Sequence, residues 1–127
     1  MRMTSDLYEY LLASYQGKLD LLPSVSWKSQ TAVCVVLASK GYPDSFAKNE
    51  KITGLDKVND EKTMVFHAGT KLEDGNILSN GGRVLGVTAL GSSLESAINN
   101  AYLAVQKITW NSKYCRADIG KKGLAYL

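Results

Sequence analysis

The residues with the most chemistry in them lie between positions 65 and 88. Val-Phe-His-Ala-Gly-Thr at 65–70 carries the chain's single histidine, His67, and Asn-Gly-Gly-Arg-Val-Leu-Gly-Val-Thr at 80–88 sets Arg83 directly after a glycine pair. Gly81 and Gly82 can turn backbone N–H groups toward an anion, and a guanidinium can grip a carboxylate or phosphate through two parallel hydrogen bonds. The same spacing also fits a tight turn with Arg83 solvated or ion-paired. His67 suits a general base, a phosphate donor or a structural residue equally well.

Other chemistry lacks its parts. One histidine and two cysteines distant in sequence, Cys34 and Cys115, do not make a closed zinc site. No phosphate loop, dinucleotide-binding glycine fingerprint or nucleophile elbow occurs. Cys34 lies in an apolar run and reads as a small buried hydrophobe, and both cysteines read as reduced, in a cytoplasmic setting. These 127 residues therefore point to a binding module with an anion site, short of a self-contained enzyme.

The elements that must position these residues follow from pattern. Residues 64–66 read as a short strand and 71–80 as a ribbon turning at Asp74-Gly75-Asn76, because Asp-Gly supplies the positive φ a tight hairpin needs. Residues 84–90 suit a second strand with a close approach at Gly86, which places His67 and Arg83 near each other at strand ends. Residues 31–38, Thr-Ala-Val-Cys-Val-Val-Leu-Ala, read as a central strand covered on both faces.

A first helix carries Leu7, Tyr8, Leu11, Leu12 and Tyr15 on one apolar face, with Thr4 or Ser5 as N-cap and Gly17 as its stop. That face must dock on this domain or on a neighbour. After Gly41-Tyr42-Pro43, residues 44–50 form a polar excursion, 51–54 a short edge strand and 57–62 a charged loop. Ser92-Ser93-Leu94-Glu95 reads as a capping box with Glu95 reaching back, opening a helix whose apolar face is Leu94, Ala97, Ile98, Ala101, Val105 and Ile108. Residues 110–127 read as a tail anchored by Tyr114 and Ile119, with Arg116, Lys121 and Lys122 in water. The sum is an α+β fold, a mainly antiparallel sheet packed by one long helix.

Totals exclude several classes. A composition that is 45% hydrophobic and 21% charged is that of an ordinary globular domain. The net charge of +3 comes from scattered lysines, so a nucleic-acid footprint is not expected. No apolar stretch reaches 18 residues, and Met1-Arg2-Met3-Thr4 is too polar for the core of a secretory signal, so no membrane partner is expected.

Five ordered blocks, residues 36–43, 52–55, 65–70, 80–91 and 115–120, closely resemble the C-terminal domain of the phosphoribosylamine-glycine ligase (glycinamide ribonucleotide synthetase) family. The resemblance implies a biotin-carboxylase C-terminal-like domain that follows an ATP-grasp core, with residues 1–20 ending the ATP-grasp region and 21–127 forming the C-terminal domain. It implies a reaction joining glycine to 5-phosphoribosylamine, with ATP hydrolysed to ADP and phosphate, in purine biosynthesis. ATP and magnesium or manganese belong to the complete enzyme, and none is expected on this fragment, which should be inactive alone. The missing ATP-grasp core is the implied partner. On the resemblance, His67, Thr70, Gly81, Gly82 and Arg83 line the substrate side of the complete site. The alternatives are a non-catalytic docking module and the C-terminal domain of another carboxylate-amine ligase.

Overall fold

The computed structural model describes residues 1–58 and 60–126. Helix α1 (Leu7–Tyr15) is followed by strand β1 (Thr31–Ser39), β2 (Thr63–His67), the hairpin β3 (Thr70–Glu73) and β4 (Asn76–Ser79), and β5 (Arg83–Gly91). Helix α2 (Leu94–Lys107), a two-residue strand β6 (Lys113–Tyr114) and a single helical turn α3 (Lys121–Leu124) complete the order. The main sheet runs β2-β5-β1-β6 with every neighbour antiparallel.

Helix α2 covers one face of that sheet. Its buried side chains Ala97, Ile98, Ala101, Ala104 and Val105 meet Val33, Val35 and Leu37 of β1, Leu85 and Val87 of β5 and Val65 of β2 in one core. The small residues Ala97, Ala101 and Ala104 let the helix approach closely, and the β-branched residues fill the pleat. Ser93 caps α2, accepting from Ser96 N–H at 3.1 Å, while Ser96 Oγ accepts from Ser93 N–H at 3.0 Å. The box is therefore one residue later than the sequence reading, and Glu95 takes no part in it. Where Asp74 and Gly75 turn the hairpin, φ is 49° and 73°, both positive as an Asp-Gly turn requires.

Several expectations are corrected. Strand β1 is covered on one face only, so Cys34 is exposed, and Val36 is 45% exposed. The α1 N-cap is Asp6, whose carboxylate accepts from Tyr8 N–H at 2.9 Å, because Thr4 and Ser5 spend their hydroxyls on Ser26. Residues 51–54 form no strand, only single bridges from Lys51 to Leu78 and from Thr53 to Thr109. In the last segment Ile119 packs half-buried against the core, whereas Tyr114 is 53% exposed and is held in β6 by its backbone pairing with Ala38. The apolar residues of α1 do not dock on the sheet: Leu7, Tyr8, Leu11 and Tyr15 are all exposed, and only Ala13 is buried.

Candidate functional site

The root of the hairpin builds the site. Beyond β2, Ala68 N–H donates to Val84 O at 3.1 Å, Gly69 N–H to Arg83 O at 3.0 Å and Asn80 N–H to Gly69 O at 2.7 Å. These bonds bring the end of β2 and the start of β5 together. Glycine is required there because a Cβ on Gly69 would lie 2.6 Å from Arg83 O and 2.7 Å from Gly81 Cα.

On this root lies a cleft of about 570 Å3, whose wall includes Tyr42, Phe66, His67, Gly82, Arg83 and Gly86. His67 Nδ1 and Thr70 Oγ1 are 3.0 Å apart, a bond that fixes the imidazole against the first residue of β3. The Arg83 side chain is exposed and has no hydrogen-bond or ion-pair partner among the described residues. Gly82 O accepts from Ser39 N–H at 2.9 Å and Gly81 O from Ser39 Oγ at 3.3 Å, whereas the N–H groups of Gly81 and Gly82 donate to no other described group. The carbonyls are held by buried Ser39 and the donors are left over.

Of the five residues expected from the sequence, His67, Gly82 and Arg83 share the cleft wall. Thr70 reaches it only through His67, and Gly81 stands behind it, its backbone packed on Gly69. Tyr42 was not foreseen. Its ring lies so close to Gly82 that an added Cβ there would come within 1.9 Å of Tyr42 Cδ2. The only local hint was Gly41-Tyr42-Pro43, a turn signal that says nothing of a contact forty residues away.

The loop that carries Tyr42 is fastened at its far end. The Glu50 carboxylate accepts from the Ser112 hydroxyl, from Ser112 N–H at 3.0 Å and from Asn111 Nδ2 at 3.3 Å. The Ser112 hydroxyl foremost, with these N–H donors, holds the Glu50 carboxyl below its ordinary pKa.

No carboxylate lines the cleft, so it offers a cation and a histidine to an anion. Its lining offers no carboxylate to a magnesium or manganese ion. Among the described residues, no group of three or more His, Cys, Asp or Glu is placed to hold a metal. No helix among them is long and apolar enough to cross a membrane. Arg116, which lines a neighbouring cavity together with Tyr42 and Arg83, is already engaged by Asp118 through two hydrogen bonds, at 2.8 and 2.5 Å.

A helix-backed antiparallel sheet with a carboxylate-free cleft bearing His67 and Arg83 at the root of a hairpin makes this an α+β domain. A family model described as phosphoribosylglycinamide synthetase, C domain, matches residues 32–122, and the chain belongs to that family. It is 46% identical over 122 residues to the phosphoribosylamine–glycine ligase of Synechocystis sp., covering 96% of this chain and 29% of the relative. Against the ligase of Allochromatium vinosum it is 46% identical over 125 residues, covering 98% of this chain and 29% of the relative. The crystal structure of the Thermotoga maritima phosphoribosylamine–glycine ligase superposes with a TM-score of 0.73 at 36% identity, over 88% of this chain and 27% of that one. The chain thus spans less than a third of the length of the relatives it matches.

Proposed function

We propose that this chain is the C-terminal part of a phosphoribosylamine-glycine ligase. In that reaction ATP phosphorylates the carboxylate of glycine, and the amine of 5-phosphoribosylamine displaces phosphate from the acyl phosphate to give glycinamide ribonucleotide. Phosphoryl transfer depends on positioning and metal-assisted charge stabilisation, and these fall to an ATP-grasp core that holds ATP and its magnesium or manganese. Residues 1–20 go with that core, a division supported by the exposed apolar side chains of α1 and by a family match that begins at residue 32. The proposed setting is cytoplasmic, in keeping with two free cysteines.

The part assigned to this chain is to hold a phosphoryl group of the substrate, the ribose phosphate or the acyl phosphate. One observation carries it: the Arg83 guanidinium, without a hydrogen-bond or ion-pair partner among the described residues, stands beside Gly82 in a cleft that no carboxylate lines. His67, fixed by Thr70, supports it from the opposite strand. The test is Arg83→Ala in the complete ligase. Losing a charge-assisted contact of about 1.5–3 kcal/mol lowers kcat/KM for phosphoribosylamine by about 10- to 150-fold. A change within about twofold refutes the assignment.

A further inference from the structure

The inward row of β1 runs Val33, Val35, Leu37 and then Ser39, so an otherwise apolar row ends on a residue only 1% exposed that carries a hydroxyl. A hydroxyl taken out of water costs stability unless it is hydrogen-bonded, so its bonds say what it is there for. Ser39 Oγ donates to Gly81 O at 3.3 Å, Ser39 N–H donates to Gly82 O at 2.9 Å, and Ser39 O accepts from Tyr42 N–H at 3.1 Å. One buried residue thus ties the turn that precedes Arg83 to the turn that carries Tyr42. The two backbone bonds are open to any residue with an N–H, and the hydroxyl bond alone asks for serine.

Ser39 acts where the cleft wall supports itself least. Gly81 and Gly82 have no side chains to pack and the widest backbone freedom, so the direction in which they launch Arg83 is set by bonds from outside. The ladder between β1 and β5 also breaks here: Leu37 faces Leu85 but Ala38 faces Arg83, which leaves Val84 as an extra residue. Such a bulge re-aims the side chains beside it. Beyond it, Gly69 N–H holds Arg83 O, and Ser39 holds the carbonyls of Gly81 and Gly82. The Arg83 side chain has no hydrogen-bond or ion-pair partner among the described residues, so its approach to an anion rests on this backbone frame.

Resting on the phosphoryl-holding role given to Arg83 above, we propose that Ser39 is a positioning residue of that site. Its hydroxyl fixes the Gly81-Gly82 step, and through it the Arg83 guanidinium, in the arrangement that receives the phosphoryl group. Ser39 touches no substrate and acts through Arg83.

Kinetics of the complete ligase test this with Ser39→Ala, Arg83→Ala and the double variant. Losing one neutral hydrogen bond is expected to lower kcat/KM for phosphoribosylamine by about two- to twelvefold, with KM for ATP changed by less than about twofold. On the Arg83→Ala background the same substitution is expected to cost less than about twofold, because the group it positions is gone. Three results overturn the proposal: a loss below about twofold in Ser39→Ala, an equal change for ATP, or a loss of about twofold or more that persists without Arg83. Any of these beside a large effect of Arg83→Ala sinks the role of Ser39 and leaves the phosphoryl-holding reading standing. Arg83→Ala within about twofold of the parent sinks that reading and this inference together. If Ser39→Ala does not fold, Ser39→Cys keeps the side chain's shape, weakens the donor, and is read against the same limits.

Discussion

Replacing Gly82 by alanine tests how the cleft is built. The added Cβ would lie 1.9, 2.4 and 2.7 Å from Tyr42 Cδ2, Cε2 and Cγ. Carbon atoms pack at about 3.5–4.0 Å, so the ring must retreat by roughly 1.6 Å or leave. Gly82 is not among the glycines with positive φ, so the backbone raises no objection to alanine and the clash is the whole effect. Compressing the ring in place costs about 1–3 kcal/mol. Tyr42 is 44% exposed, so swinging it out forfeits about half of an aromatic side chain's burial. That is about 100 Å2, or roughly 2.5 kcal/mol at about 25 cal/mol per Å2. Either route predicts a loss of about 2 kcal/mol, read as a lower urea midpoint at unchanged slope. On a Tyr42→Ala background the same substitution meets nothing and should cost under about 0.5 kcal/mol. The double-mutant cycle then shows a coupling of about 1.5 kcal/mol. Additivity within about 0.5 kcal/mol refutes the contact as the reason for glycine at this position.

Two further predictions concern what holds the site's frame. Lys113 Nζ donates to Val105 O at 3.0 Å and to Ile108 O, satisfying carbonyls at the end of α2, so Lys113→Met should destabilise the chain by about 1–3 kcal/mol, and an unchanged urea midpoint would falsify this cap. The Glu50 carboxyl titrates below its ordinary value of 4.5 when folded, so the unfolded chain takes up its proton first as acid is added. The stability it contributes is present above pH 4.5 and is lost as pH falls through the folded value. Glu50→Gln should flatten the stability profile in that acid window, and a profile of unchanged slope there removes Glu50 as the fastener of the Tyr42 loop.

Local rules were readable where one local force decides. The Asp74-Gly75 turn needs positive φ, and the long apolar face of α2 needs a core, and both are found. Caps were misplaced by a residue or two because several hydroxyls compete. With Ser92 as cap the partner is Glu95, whereas with Ser93 it is Ser96, and the structure takes the second. At α1 the hydroxyls of Thr4 and Ser5 are drawn to Ser26, leaving the cap to Asp6. The cleft was legible only in part, since His67 and Arg83 announce themselves by type and by neighbouring glycines. Tyr42 enters through a contact with residue 82 that no local pattern encodes, and Gly69 through a backbone approach to residues 81 and 83.

The misreading of β1 is the instructive one. An uninterrupted run from Ala32 to Ala38 belongs to a strand buried on both faces, yet α2 buries only Val33, Val35 and Leu37 while Cys34 and Val36 stand open. An isolated antiparallel sheet of this kind selects polar residues on its wet side, and here that side carries Val36, Met64 and Phe66 instead. The helix α1 repeats the pattern, with Leu7 56% and Leu11 61% exposed on a segment that touches little else of the domain. Both departures are apolar side chains left in water, so the alternation that marks a half-buried strand and the stripe that marks a docked helix are each missing their polar or buried counterpart.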